Sequence, residues 1–345
     1  MRAAVFRELS KPLAIETLAD PVPGPHDLVL RVRNCGVCGS DLHMTELGTI
    51  MPLPPGSVMG HEFAGEVMAV GKAVTHLWKP GMRVAGFPVI CCGEHTPCIN
   101  LSQSPPQRGL CAKMLPVGLG QSPGAYAQFV RIGAGSGYRL PDSVSFREGA
   151  LVEPLAVGLH AVDMARMPRG ATVLVIGAGP VGLAVMLWAK FLGARHVIVS
   201  EKAEIRRTMA AKFGATDAID PAQPLAAQVE KIAGKAPDII FDCVGVPGLL
   251  MNVMAEAPRG GRIVVAGVCQ QPDTIMPLIG IVKELEIQFV LGYRPADFDY
   301  VIAMIASDRV DVAHMITDIV DLDALPDAFE ALRKPAHQCK VMLEN

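Results

Sequence analysis

The sequence predicts an α/β protein with two domains, one rich in β-strands and one built on a doubly wound parallel sheet. Length is the first reason, because 345 residues exceed the roughly 100–200 that one domain usually holds. The second reason is a change of pattern along the chain. Up to about residue 145 the segments are short and β-prone, whereas from Ala171 onward β-branched runs alternate with helical segments.

The first domain is expected to be β-rich because valine-rich runs of a few residues are separated by glycine and proline. These predicted strands are LVLRVR (28–33), GEVMAV (65–70), GMRVAGF (81–87) and AYAQFVRI (125–132). Apolar residues then recur at helical spacing over 149–165, which predicts a long helix there.

The second domain is expected to hold a parallel sheet, because strands that alternate with helices are typical of that architecture. The predicted strands are TVLVI (172–176), HVIVS (196–200), DIIFDCVG (238–245) and RIVVAGV (262–268), and EIRRTMAAKFG (204–214) is a predicted helix. From about residue 298 helical segments return, followed by a short strand at 341–343. We therefore predict one domain over 1–147 and 296–345, with the second domain, 148–295, inserted into it.

Charge and hydropathy argue against nucleic-acid and membrane partners. Lys and Arg number 31 against 34 Asp and Glu, so no basic excess is present to attract a polyanion. Residues 171–189 form an uncharged stretch of 19 residues, which is long enough for a transmembrane helix. Gly177, Gly179, Pro180 and Gly182 lie in its middle, however, and they favour a turn. The expected partner is a small molecule.

The nine cysteines are odd in number and cluster in the first third of the chain. Disulfide frameworks are typical of much shorter secreted chains, and the opening MRAAVFRELSKPLAIE has no apolar signal segment. We therefore expect a cytoplasmic protein in which some of the cysteines bind metal.

A dinucleotide-binding motif, G-x-G-x-x-G, is formed by Gly177, Gly179 and Gly182. Gly177 permits a tight turn, Gly179 lets backbone N–H groups approach a pyrophosphate, and Gly182 lets the helix pack closely on the strand. The motif stands between a β-branched strand and an apolar helix, whose N-terminus favours phosphate. Pro180 and Val181 lie within the motif and complete the predicted contact set.

Glu201 ends the next predicted strand, 19 residues after Gly182. An acid at this position accepts the ribose hydroxyls of NAD and repels the 2′-phosphate of NADP, so the sequence favours NAD. Lys202, Arg206 and Arg207 are close in sequence and can attract a phosphate. NADP is therefore the alternative, and Arg206 joins the candidate cofactor-binding residues.

Three further segments carry zinc-binding residue types. They are Gly36-Val-Cys38-Gly-Ser40-Asp41-Leu-His43, Gly60-His61-Glu62-Phe-Ala-Gly65 and Glu153-Pro154. Thiolate, imidazole and carboxylate all bind zinc, and three protein ligands leave a fourth position open, as catalytic zinc requires. In this order, ahead of the dinucleotide motif, the segments resemble the zinc-containing medium-chain alcohol dehydrogenases, and Glu153-Pro154 is most similar to the sorbitol (polyol) dehydrogenase branch.

The resemblance implies a GroES-like catalytic domain joined to a Rossmann domain that binds NAD. It implies that Cys38, His61 and Glu153 hold Zn²⁺, and that Glu62 lies beside the metal and can exchange onto it. It further implies a proton relay from Ser40 through the cofactor ribose to His43. The reaction expected is hydride transfer between an alcohol and NAD, in a homodimer or homotetramer.

The family often carries a second, structural zinc, and the matching segment here is altered. Cys92, His95, Cys98 and Cys111 can form a tetrahedral Cys3His site. However, His95 replaces the expected cysteine, and twelve residues separate Cys98 from Cys111, a longer gap than the family pattern. Both a zinc-loaded and a metal-free lobe are compatible with this sequence.

The resemblance implies that the loop at 43–63 lines the mouth of the substrate cleft, and this loop is apolar, with Met44, Leu47, Ile50, Met51 and Leu53. Polyol recognition needs several hydrogen-bond partners, and the substrate arginine of the polyol branch falls on Gly292, with Arg294 two positions later. We therefore predict a secondary, fairly apolar alcohol or its ketone. A polyol dehydrogenase, a zinc-free enone or quinone reductase and a non-catalytic NAD-binding protein are the alternatives.

Overall fold

The structure is a computed structural model that describes residues 1–46, 48–50, 52–90, 114–334 and 337–345. It divides into two compact units, Met1–Glu153 with Arg294–Asn345, and Pro154–Tyr293. The first division falls inside a helix, a few residues after the predicted boundary at 147. The second falls slightly before the predicted boundary at 296.

The elements of the described residues are as follows. The strands are β1 (Arg2–Val5), β2 (Ala14–Thr17), β3 (Asp27–Gly36), β4 (Glu62–Val70), β5 (Arg83–Gly86), β6 (Val89–Ile90), β7 (Leu115–Pro116), β8 (Phe129–Gly133), β9 (Gly137–Arg139), β10 (Thr172–Ile176), β11 (His196–Ser200), β12 (Asp217–Ile219), β13 (Ile239–Asp242), β14 (Arg262–Val265), β15 (Glu286–Phe289), β16 (Ile316–Val320) and β17 (Lys340–Glu344). The α-helices are α1 (Gly39–Met44), α2 (Phe146–Met164), α3 (Pro180–Phe191), α4 (Glu204–Ala210), α5 (Leu225–Ala233), α6 (Leu249–Glu256), α7 (Pro277–Lys283), α8 (Pro295–Ala306) and α9 (Leu325–Ala331).

The first unit is organised by a seven-stranded sheet in the order β16-β17-β3-β4-β5-β9, with β8 also paired to β3. The apolar faces of β3, β4 and β8 are buried in the core of this unit. Strand β3 is antiparallel to β4, β8 and β17, and Gly36 at its end lies opposite Glu62 on β4 and Met342 on β17. This register brings the ends of three strands together beside the residues that carry the chemistry.

The second unit has a six-stranded sheet in the order β12-β11-β10-β13-β14-β15. All its strand pairs are parallel, which confirms the predicted parallel sheet. Numbered within the unit the order is 3-2-1-4-5-6, the doubly wound arrangement of dinucleotide-binding folds. Strand β10 is buried at every residue, as expected of a strand covered on both faces.

The uncharged stretch at 171–189 is divided between β10, a glycine-rich turn and α3. In the described residues no helix combines the length and apolarity that crossing a membrane requires. The turn predicted from Gly177, Gly179, Pro180 and Gly182 is therefore where the sequence places it.

Candidate functional site

Cys38 lies at the start of α1, where the chain leaves β3. It has the extended backbone of an N-cap residue, and its N–H donates to Asp41 Oδ2 at 3.2 Å. An acidic side chain that returns to the N-cap in this way fixes the first turn of a helix. The short helix thus holds the Cys38 thiol, which is half-buried, in a defined direction.

His61 and Glu62 come to the same place at the start of β4. One ligand atom from each of Cys38, His61 and Glu62 lies within 4.8 Å of the other two. Both His61 and Glu62 are buried. Within the part of the chain that the structure describes, this is the one group of three or more such residues arranged to hold a metal ion.

The residues fit zinc by their chemistry and by their surroundings. Thiolate, imidazole and carboxylate are the donor types that zinc takes in proteins. Behind His61, Asp41 Oδ1 lies 3.3 Å from Nδ1 as an ion-pair contact, and neither atom has a hydrogen-bond partner among the described residues. A carboxylate on one ring nitrogen of a histidine leaves the other nitrogen for a metal.

The charges around His61 favour a cation. Burial lowers the pKa of this imidazole, but the neighbouring Asp41 and Cys38 outweigh burial, so the pKa is raised well above its usual value. The negative charge that retains a proton on His61 would equally stabilise a bound metal ion.

Glu153, which the family resemblance implies as the third zinc ligand, is buried in α2 but lies outside the group of Cys38, His61 and Glu62. Glu62 is the carboxylate that belongs to the group. The family resemblance implies that Glu62 lies beside the metal as an exchangeable ligand, and its role and that of Glu153 both stay predictions.

Glu62 is held from behind by Lys340 on β17. Lys340 Nζ donates to the two carboxylate oxygens at 2.7 and 2.6 Å and to the Val37 carbonyl at 2.9 Å. Burial lowers the pKa of Lys340, yet the charges of Glu62 and Cys38 prevail, so the pKa is raised and the ammonium is retained. A Cβ on Gly36 would overlap Glu62 Oε2, so this pair requires a glycine beside it.

The two predicted relay residues lie in different surroundings. The half-buried Ser40 hydroxyl donates to Cys38 Sγ at 3.2 Å. The His43 side chain is 47% exposed, and its Nδ1 lies 3.4 Å from Glu46 Oε2. Ser40 thus lies beside the candidate metal ligand Cys38, whereas the His43 side chain, one helical turn later, is exposed to solvent.

The apolar residues predicted for the loop at 43–63 that the structure describes are divided between the core and the surface. Met44 and Leu53 are buried in the core of the unit, and Ile50 is exposed. Other residues predicted for this loop or for a second zinc lie outside the described residues; they are Leu47, Met51, Cys92, His95, Cys98 and Cys111.

In the second unit the glycine motif links β10 to α3. Gly177 has φ +94°, a conformation that disfavours other residues. A Cβ on Gly182 would overlap the Gly177 carbonyl, whereas a Cβ on Gly179 would meet nothing within 4 Å. Pro180 occupies the first turn of α3, followed by the half-buried Val181. The turn is tight at its two ends and open at Gly179, where a pyrophosphate needs space.

Glu201 follows β11 and ties the glycine turn to the next loop. Its two carboxylate oxygens accept the N–H groups of Ala178 and Ala203, each at 2.9 Å. Arg207 donates to the carbonyls of Glu201 and Lys202 at 2.6 and 2.9 Å. Arg207 therefore braces the loop, whereas Arg206 is half-buried on α4.

Sequence reasoning missed Asp41, Tyr126 and Lys340. Lys340 interrupts the apolar run CKVML, and a lysine in such a run signals a buried, paired charge. Asp41 stands three residues after Cys38, the spacing of a capping acid. Tyr126, whose hydroxyl donates to Asp41 Oδ2 at 2.6 Å, carries no sequence signal beyond its aromatic ring.

Two family models match the chain. Residues 24–142 match the alcohol dehydrogenase GroES-like domain, and residues 180–307 match the zinc-binding dehydrogenase family. The chain is also 33% identical to the sorbitol dehydrogenase of Gallus gallus, over 96% of this chain and 93% of the relative.

Solved structures of the same fold include two informative neighbours. The 2R,3R-butanediol dehydrogenase of Bacillus subtilis is 30% identical with a TM-score of 0.86, covering 100% of this chain and 99% of the other. A zinc-binding dehydrogenase of Sinorhizobium meliloti, solved with NADP bound, is 28% identical with the same TM-score of 0.86 and the same coverage.

Proposed function

Because the chain belongs to the zinc-containing medium-chain alcohol dehydrogenase family, we propose that it transfers a hydride between a secondary alcohol and NAD. As a member of that family it is an oxidoreductase acting on CH–OH groups, and it uses zinc and a nicotinamide cofactor. What we add is the ligand set, the choice of NAD and the class of alcohol.

The observation that carries the proposal is the convergence of Cys38, His61 and Glu62 within 4.8 Å. We assign the metal to Cys38, His61 and one carboxylate, with Glu62 and Glu153 as the two acids available for the third position. When bound, zinc supplies Lewis-acid polarisation of the alcohol oxygen, which lowers the pKa of the hydroxyl.

The alcohol proton needs a path to water, and we propose that Ser40 and His43 on α1 supply it. Ser40 carries a hydroxyl beside Cys38, and it can accept a proton at Oγ while passing its own onward. His43 carries an imidazole that is open to solvent and can release that proton at a ring nitrogen. We assign these two residues to proton exit, by way of the cofactor ribose.

For the cofactor we propose NAD, held by Gly177, Gly179, Pro180, Val181, Gly182, Glu201 and Arg206. Glu201 supports NAD because its carboxylate would lie close to a 2′-phosphate and repel it. Arg207, which can otherwise attract that phosphate, is engaged with backbone carbonyls. Because a similar structure was solved with NADP bound, NADP is assayed beside NAD in the test below.

For the substrate we propose a secondary, fairly apolar alcohol. Arg294, the candidate nearest to the polyol arginine, donates to the Asp297 carboxylate at 2.9 Å within the first turn of α8, which leaves it a weak candidate for binding sugar hydroxyls. The second candidate is a polyol, which the similarity to sorbitol dehydrogenase favours.

One experiment separates these candidates. Purified protein is assayed for zinc, and then for NAD- and NADP-linked oxidation of cyclohexanol, butane-2,3-diol and sorbitol. Cys38→Ala should abolish turnover, whereas Cys269→Ala, at an exposed thiol, should not. Full turnover in zinc-free protein contradicts the proposal, and a preference for sorbitol selects the second candidate.

We also propose a homodimer or homotetramer in the cytoplasm. Seven large apolar side chains are exposed between residues 275 and 291, namely Ile275, Met276, Leu278, Ile281, Val282, Phe289 and Leu291. Among the described residues, strand β15 within this segment is the last strand of its sheet, and proteins usually cover such an edge. Phe289→Glu should reduce the sedimentation coefficient, and Val22→Glu, at another exposed position, should not. The five free cysteines of the described residues suit a reducing compartment.

A further inference from the structure

Asp41 connects the two protein ligands that come from different segments, Cys38 and His61. Its Oδ2 accepts the Cys38 N–H at 3.2 Å, and its Oδ1 lies 3.3 Å from His61 Nδ1. Asp41 is completely buried. A rotation of this carboxylate would therefore change both its contact with His61 and its hydrogen bond to the Cys38 N–H.

Tyr126 sets the rotation of that carboxylate. Its hydroxyl donates to Asp41 Oδ2 at 2.6 Å, in a hydrogen bond that is itself buried. Burial, followed by the charge of Asp41, raises the pKa of Tyr126, so the hydroxyl is a donor at neutral pH. With Oδ2 occupied by two donors, Oδ1 is the oxygen left to face His61.

The Tyr126 ring is fixed from several sides. The N–H groups of Ala125 and Tyr126 donate to the carbonyls of Gly60 and Met59, each at 2.9 Å, directly before His61. Gly60 has φ +95°, and a Cβ there would overlap the ring. Tyr126 is therefore anchored to the same backbone that carries His61.

We infer that Tyr126 is a positioning residue of the metal centre, which holds Asp41 so that His61 keeps its proton on Nδ1 and presents Nε2 to zinc. This inference rests on the proposed ligand set. A carboxylate behind a metal-binding histidine fixes its tautomer and raises its basicity. Tyr126 does not contact the metal ligands through its hydroxyl; it acts on His61 through the Asp41 carboxylate.

The test is Tyr126→Phe, which removes one oxygen and keeps the ring. We expect zinc affinity, measured by competition with a chelating dye, to fall by about tenfold or more, since changes behind a metal ligand typically cost ~10–100-fold. The matched control is Tyr138→Phe. Tyr138 is buried in the same unit, and its hydroxyl has no hydrogen-bond partner among the described residues, so zinc affinity should be unchanged.

A second readout separates positioning from general stability. Zinc that binds only folded protein stabilises it by RT ln(1 + c/Kd), where c is the free zinc concentration, so tighter binding gives a larger rise in melting temperature. Tyr126→Phe should show a smaller zinc-induced rise than wild type, and Tyr138→Phe should show the wild-type rise. Equal rises in all three proteins, or equal losses in both variants, overturn the inference.

Asp41→Asn extends the test and covers a failure of Tyr126→Phe to fold. It should weaken zinc binding at least as much, and the double variant should be little worse than Asp41→Asn, because both act through one contact. Wild-type zinc affinity in Asp41→Asn overturns the inference. If wild-type protein takes up no zinc, the proposed function fails; if it binds zinc and Tyr126→Phe binds equally well, only the role of Tyr126 fails.

Discussion

Lys340 Nζ lies 2.7 and 2.6 Å from the two carboxylate oxygens of Glu62, and both side chains are 1% exposed. A charge pair this deeply buried is costly to desolvate and depends on each partner to neutralise the other. It therefore determines how Glu62 can act toward the metal as well as how stable the first unit is.

Lys340→Met should destabilise the protein by about 3–5 kcal/mol, because it leaves the Glu62 carboxylate buried without a counter-charge. Urea unfolding in the presence of a chelator measures this loss without a contribution from zinc. Glu62→Gln combined with Lys340→Met should recover much of it. If Lys340→Met and the double variant have equal free energies of unfolding, the unpaired Glu62 charge is not the cause of the loss.

Gly36→Ala should destabilise by about 1–3 kcal/mol, the usual cost of forcing extra volume into a packed site. The added Cβ would overlap Glu62 Oε2 and lie 3.1 Å from Lys340 Cδ. Gly39→Ala is the control, since its Cβ would meet nothing within 4 Å. Thermal unfolding of the two variants side by side gives the comparison, and identical midpoints would contradict the expected overlap.

Glu201→Ala should weaken NADH binding by about tenfold, or ~1.4 kcal/mol, and narrow the preference over NADPH. The variant loses the carboxylate that ties Ala178 to Ala203 and that repels a 2′-phosphate. Fluorescence titration with both reduced cofactors measures the two affinities. Glu204→Ala, at the exposed start of α4, is the control. A wild-type preference for NADPH of tenfold would show that Glu201 is misassigned.

His43→Ala should slow alcohol oxidation at neutral pH by up to ~10²–10⁴-fold, the range of general acid–base groups. The loss should shrink as pH rises, because hydroxide and buffer bases replace the imidazole as proton acceptor. Rate profiles from about pH 6 to about pH 9, with and without added imidazole, measure this. His76→Ala, at another exposed histidine of the same unit, should follow wild type. Parallel profiles for His43→Ala and wild type would remove His43 from the relay.

Much of the fold was predictable because its strands are strongly patterned. TVLVI and HVIVS coincide with β10 and β11, since β-branched runs leave little choice of structure. Strands β12 and β15 were not predicted. DAI is only three residues long and EIQF only four, so neither is long enough for its pattern to indicate a strand.

The sequence indicated the metal-binding residue types of the candidate site, but it did not indicate the residues that hold them in place. Residue type, order and the family resemblance selected Cys38, His61 and Glu153 as ligands with Glu62 beside the metal, and the structure groups Cys38 and His61 with Glu62. The Tyr126–Asp41 and Lys340–Glu62 contacts join residues 85 and 278 positions apart. Pairings over such distances depend on strand order and register, which a single sequence does not specify.

Because β17 pairs with β3, the two units cannot be completed at the same stage of synthesis. The second unit is one continuous segment, Pro154–Tyr293, and can fold as soon as that segment leaves the ribosome. The first unit cannot, because Lys340 reaches the Val37 carbonyl only across 303 positions. Until β17 is made, Glu62 lacks the charge of Lys340 and one edge of β3 is unpaired along Asn34–Gly36, so the metal centre stays incomplete while most of the chain is already synthesised.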